Sequence, residues 1–251
     1  MRRRMVSIGL SLLLLSLIVA CGGDSAPAAI PASGATVCEG LKKAERFRYV
    51  FTNSIESPRQ PNPDESVQSE FVNQPGSPDF KLSLQYKGVF VAPQSLDYET
   101  SVLEQAGQSP LHKIRIGENE WVFLSGSWQG VKSPQPFPFA PLNVCDLVVS
   151  PLDLSGQAGE SDSVGDTSAR RIHLSQASLD VSSQLWSPAS DMGRLLKSFD
   201  VDVWLSEEKA RLLKVEAVSK ANYPFGRELS MRIVLEIGPY NEKGLEIEPP
   251  I

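Results

Sequence analysis

Three cysteines, Cys21, Cys38 and Cys145, and two histidines, His112 and His173, are the residues of this chain best suited to metal or covalent chemistry. Both histidines sit in strand-like patterns, where a hydrogen-bonded structural histidine is the common state. Gly126-Ser127-Trp128-Gln129-Gly130 places its serine one position away from the G-x-S-x-G nucleophile elbow, and no P-loop, G-x-G-x-x-G or H-E-x-x-H occurs. Asp162 and Asp166 lack the ligand spacing of an EF-hand calcium loop. The expectation is therefore a protein that is not an enzyme and uses no metal and no cofactor. A formal charge of −6 over 251 residues argues equally against a nucleic-acid partner, whose phosphates need a basic face.

The first elements to position are at the N-terminus. Arg2, Arg3 and Arg4 precede the uncharged, Leu-, Ile- and Val-rich run Met5–Ala20. That run falls short of the roughly 20 apolar residues of a membrane span and reads as a secretory signal. Ile18-Val19-Ala20-Cys21 resembles the lipobox of bacterial lipoproteins. The resemblance implies cleavage before Cys21 and a diacylglycerol on its sulfur, so residues 1–20 are a lipoprotein signal peptide. Their removal takes three arginines and no acid, which leaves a more acidic protein on the outer side of the cell membrane. Residues 21–35 then read as a lipid-anchored flexible tether, with Ile30 their one large aliphatic. Such a tether spans roughly 20 Å as a coil and about 45–50 Å when extended.

Residues 36–251 read as one domain. Thr36 and Glu39 form a capping box, predicting a helix over about 37–45. From Phe47 the period falls to two: Phe47, Tyr49 and Phe51 alternate with polar or smaller residues, and so do Leu82, Leu84 and Tyr86. Further strands are expected at 67–73, 96–103, 111–116, 120–125, 169–174, 200–206, 211–219 and 228–238. The last carries Met231, Ile233 and Leu235 on one face. Ser133–Pro141, with four prolines around Phe137 and Phe139, must be extended, and a short helix is expected near Asn143–Val149. Ser155–Ser168 reads as an exposed acidic loop. Ser187-Pro188 and the spacing of Leu196 and Phe199 predict an amphipathic helix over 188–199. The fold class is α+β, mainly β: a strongly curved antiparallel sheet with two or three helices covering the concave side. Periodicity by itself favours an ordinary filled core behind such a sheet.

Longer motifs add to this. Val201-Asp202-Val203-Trp204-Leu205, followed by Ala210-Arg211-Leu212-Leu213-Lys214-Val215, resembles the late hairpin of LolA/LolB-like and LppX/LprG-type lipoproteins. The Ile237–Pro250 ending, and Ile116–Val122 with Trp128, are similar to the same family. The resemblance implies a half-barrel enclosing an apolar cavity for acyl chains, and a carrier in lipid or lipoprotein transfer across the envelope. The partners would be a lipid or acylated ligand, the membrane through Cys21, and an envelope protein. The rival reading is an envelope interaction or sensing module with a filled core.

On this basis the cavity wall is expected from Phe47, Tyr49, Phe51, Leu82, Leu84, Tyr86, Trp121, Phe123, Leu196, Phe199, Met231, Ile233 and Leu235. Its mouth is expected at Trp128, Phe137 and Phe139. With Cys21 lipidated, Cys38 and Cys145 remain in a compartment that permits oxidation, and are expected to form a disulfide.

Overall fold

The computed structural model describes residues 29–57, 80–105, 107–132, 140–175, 196–223 and 227–250. The alternating runs become strands β1 (Arg46–Ser57), β2 (Phe80–Val91), β3 (Ser95–Val102), β4 (Leu111–Ile116), β5 (Asn119–Leu124) and β6 (Ser127–Gly130). The second half supplies β7 (Glu160–Val164), β8 (Thr167–Ser175), β9 (Leu196–Ser206), β10 (Leu212–Tyr223) and β11 (Arg227–Tyr240). All pair antiparallel in one 11-stranded sheet of order β6-β5-β4-β3-β2-β1-β11-β10-β9-β8-β7. Two meanders, β1–β6 and β7–β11, are thus joined where the first strand pairs with the last. The expected mainly-β, antiparallel curved sheet with short helices is what forms.

Helix α1 is Gly34–Lys42, three residues earlier than expected. Ser33, not Thr36, is the N-cap: its Oγ accepts from Thr36 N at 3.4 Å. Ile30 packs on the core and Gly34 N donates to Leu152 O. The second helix starts at Pro141 as α2 (Pro141–Val144) and runs into a π-helical turn over Cys145–Val149. Both segments lie on one face of the sheet and are linked by the expected Cys38–Cys145 disulfide, with Cα atoms 5.7 Å apart.

Two other expectations are corrected. Within 155–168, β7 pairs with β8 around Gly165 at φ 56°, so this stretch is an edge hairpin and not simply a loop. Its small polar residues suit a strand whose outer edge faces water. Residues 196–199, expected to end a helix, are extended and hydrogen-bonded to β10. Leu196 and Phe199 recur at helical spacing, but ladder pairing with β10 decides the conformation. The expected strand at 67–73, the Phe137/Phe139 segment and residues 188–195 lie outside the described residues. Among the described residues no helix is long and apolar enough to cross a membrane.

Candidate lipid site on the inner sheet face

Residues paired across a sheet share a face, so the register assigns each expected wall residue to a side. The face covered by α1 and α2 is called inner here. One row runs Leu174–Val201–Ala217–Ile233–Asn53–Leu84–Val102, and its neighbour runs Ile172–Val203–Val215–Leu235–Phe51–Tyr86–Thr100–Leu111. Phe47, Tyr49, Phe51, Phe199, Ile233 and Leu235 are buried on the inner face, and Leu82, Leu84, Tyr86 and Met231 are half-buried there. A stacked pair, Phe47–Phe90 at 4.8 Å, is followed along the strand by Phe51–Tyr86 at 5.8 Å.

Burial is graded. At the end of β1 nearest α1, Phe47 and Tyr49 are fully buried, in the same core cluster as Val37, Cys38, Leu41 and the 145–149 turn. At the other end the aliphatic wall is only partly covered. Among the described residues, the exposed leucines Leu103, Leu111 and Leu124 stand at that same end, with exposed Phe123 on the opposite face there. The inner face is therefore closed at one end and apolar-rimmed at the other.

Trp121 and Phe123 are corrections. The unbroken pairings Arg48–Val89–Asp97–Ile114–Trp121 put Trp121 on the outer face, and Phe123, two residues on, joins it. Trp128, expected at the mouth, is also outer: it pairs with Phe123, whose ring is 5.3 Å away, and packs edge-on against His112 at 4.9 Å. The physical reason is a change of phase between β3 and β4. Strand β3 turns its apolar residues inward, whereas Ile114 and Ile116 of β4 face outward. Leu196 lies in β9, while Cys21, Phe137 and Phe139 lie outside the described residues.

Polar groups on the inner face were not foreseen. Following the same rows, Tyr98, Lys113, Arg115 and Glu120 point inward. Lys113 Nζ is 3.3 Å from Glu120 Oε1, and Arg115 Nη1 is 3.7 Å from Glu120 Oε2. Tyr49 Oη and Asn53 Oδ1 are buried without a hydrogen-bond partner. Burial, reinforced by the phenol of Tyr98, pushes the Tyr49 hydroxyl well above the ordinary phenol range. In sequence, Lys113 and Arg115 look like the wet face of an amphipathic strand. Only the chain of pairings from β1 outward reveals them as internal.

Both histidines are structural. His112 Nε2 donates to Asp97, and His173 Nδ1 lies 3.1 Å from Asp202 Oδ1, which also accepts from Arg171 Nε at 2.9 Å. No group of three metal-ligating side chains occurs among the described residues. The outer face also bears a mixed-charge groove of about 880 Å³, lined by Arg48, Lys87, Glu99, Arg211 and Glu236 among others.

The architecture is an open, curved antiparallel sheet with short helices on its inner face. Among solved structures, the chain is similar to LprF from Mycobacterium bovis, at 10% identity and a TM-score of 0.45, over 85% of this chain and 93% of that one. It is also similar to a LolA superfamily protein from Nitrosomonas europaea, at 11% identity and 0.29, over 87% and 96% of the two chains. A DUF1329 family protein from Desulfovibrio piger follows at 8% identity and 0.25, over 85% and 92%. No protein-family model matches the chain, and no curated protein matches it.

Proposed function

We propose that this protein is a lipid-anchored, extracytoplasmic carrier that shields acyl chains on the inner face of its half-barrel during transfer at the cell envelope. The observation that supports this most is the graded inner face, sealed beneath the disulfide-linked helices and bounded by exposed leucines at its other end. Each methylene removed from water contributes about 0.8 kcal/mol, so a partly engaged chain already binds appreciably. Apolar contact is non-directional, so chain selectivity on the aliphatic wall is loose. In this reading lipidated Cys21 and the tether expected over 21–35 hold the domain near the membrane from which cargo is drawn.

Native mass spectrometry of the full chain after mild detergent extraction tests this reading. Copurifying lipid is the expected result, and a chain that remains empty after incubation with phospholipid vesicles overturns it. The second reading, an envelope protein-binding module, is favoured by the outer groove, whose interspersed acids and bases suit a polypeptide partner. Loss of a copurifying protein on Lys87→Glu with Arg211→Glu, with no lipid bound by the parent chain, supports it instead.

A further inference from the structure

At one end of the sheet the surface is apolar on both faces. Strands β5 and β6 meet there in a two-residue turn, Ser125-Gly126, with φ of 51° and 84°. Two positive values match the twist of the flanking strands and leave the hairpin no slack. Ser127 Oγ also donates to Leu124 O at 3.4 Å across the turn. The hairpin is a stiff projection, and Trp121–Val131 contains no charged residue.

Its apolar groups do not share a side. Phe123 is exposed on the outer face, whereas alternation along β5 puts Leu124, 40% exposed, on the inner one. On the neighbouring strand Leu111 is exposed in an inner row, and Leu103 is exposed where the 103–110 connection begins. The one charge of that connection, Glu104, accepts a hydrogen bond from Ser83 N at 2.7 Å. Turns at the opposite end of the strands differ, and carry Glu118, Asp166, Glu207, Glu208 and Lys209. An exposed apolar surface of this kind marks contact with a protein or a membrane. A docked protein covers one side of a sheet. A tip that is apolar on both sides is satisfied by a medium that surrounds it, and a bilayer is such a medium.

We infer that the β5–β6 tip, with Leu103 and Leu111 beside it, inserts shallowly into the bilayer that anchors the chain. This rests on the carrier reading for the anchor, and adds an orientation: the half-covered end of the inner face is the end set against lipid. Insertion stops near the head groups. Among the described residues β6 is the outermost strand, and its outward backbone groups need water, which the hydrocarbon core does not offer. Trp128, just behind the turn, then falls at the level where tryptophan is favoured in a membrane interface. The chain is acidic overall, so the contact is apolar and does not depend on anionic lipid.

The test reconstitutes the full chain in phosphatidylcholine vesicles with an environment-sensitive nitrobenzoxadiazole label on Ser125→Cys. With Cys21 acylated and Cys38 bonded to Cys145, the introduced thiol takes the label. Glu118→Cys, in the turn between β4 and β5, carries the same label at the opposite end. The label at 125 is expected to shift to the blue and to be quenched by nitroxide-bearing phospholipid. The label at 118 does neither, and added phosphatidylglycerol changes nothing. Leu124→Glu, at an exposed position that tolerates substitution, abolishes the quenching at 125. Undiminished quenching in Leu124→Glu overturns the insertion, as does a 125 label no more quenched than 118 on a vesicle-bound chain; either result leaves the carrier reading intact. Quenching that requires phosphatidylglycerol overturns the apolar contact. A blue shift at 125 without lipid quenching overturns it in favour of a protein partner or a second copy. A chain that does not float with the vesicles overturns the anchored carrier and the inserted tip together.

Discussion

At the first turn of α1, Gly34 lies so close to the 145–149 turn that a methyl group there would fall 1.7 Å from Val149 O. One turn later Cys38 bridges to Cys145, so the two helical segments are held by close backbone approach and by a covalent bond. Gly34→Ala is expected to lower stability by about 1–3 kcal/mol through overpacking, measured by urea denaturation. Replacing both Cys38 and Cys145 by Ala releases a loop of 107 residues, with an expected loss of about 2–5 kcal/mol in the same assay. On the outer face, Trp204 Nε1 donates to Asp162 Oδ2 at 2.8 Å, while Arg171 and Lys214 stand 5.4 and 4.8 Å from the indole ring. The Trp204 bond, helped by Ser163 N, holds the Asp162 carboxyl below its usual value. A depressed folded-state value means that the stabilisation is present above the ordinary carboxylate pKa of about 3.9 and disappears as pH falls through the lower folded one. Thermal unfolding followed from pH 6 to pH 2 should therefore decline less steeply in Asp162→Asn than in the parent.

Among the strands, side assignment governs the cost of losing an aromatic ring. Phe51 of β1 is fully buried between β2 and β11, whereas Phe123 of β5 is 41% exposed on the outer face. Phe51→Ala is expected to cost about 3–5 kcal/mol, the range for deleting a buried ring. For Phe123→Ala the expected cost is about 0.5 kcal/mol or less, as at ordinary surface positions. Equal losses in chemical denaturation would contradict the register that separates them. The β7–β8 hairpin illustrates a different control. Its edge strand has little apolar content, and is fastened from β7 through Asp162 to Trp204 of β9.

For the molecule as a whole, the join between β1 and β11 brings residues from both chain halves onto one inner face. Leu84 lies beside Asn53, which lies beside Ile233, in the half-covered region where cargo is proposed to enter. Leu84→Asp should fold, because its position is not sealed, and should lose lipid in native mass spectrometry, since a carboxylate there opposes apolar burial. A folded Leu84→Asp chain that keeps its full lipid complement would remove this wall from the proposed site.

Much of this was legible in the residues themselves. Alternation at Phe47–Phe51, Leu82–Tyr86 and Met231–Leu235 specified strands and their apolar faces, because the side-chain period in a strand is two and one face excludes water. The cysteine inventory specified the disulfide once Cys21 was set aside. Local pattern misled where long-range pairing dominates. Leu196 and Phe199 keep helical spacing yet extend beside β10, and Ser33 displaced Thr36 as the cap of α1. The inward turn of Lys113, Arg115 and Glu120, and the outward turn of Trp121, Phe123 and Trp128, had no local signal at all. A strand's alternation says that two faces differ, but not which of them meets the core. That choice belongs to the register carried from strand to strand across the sheet.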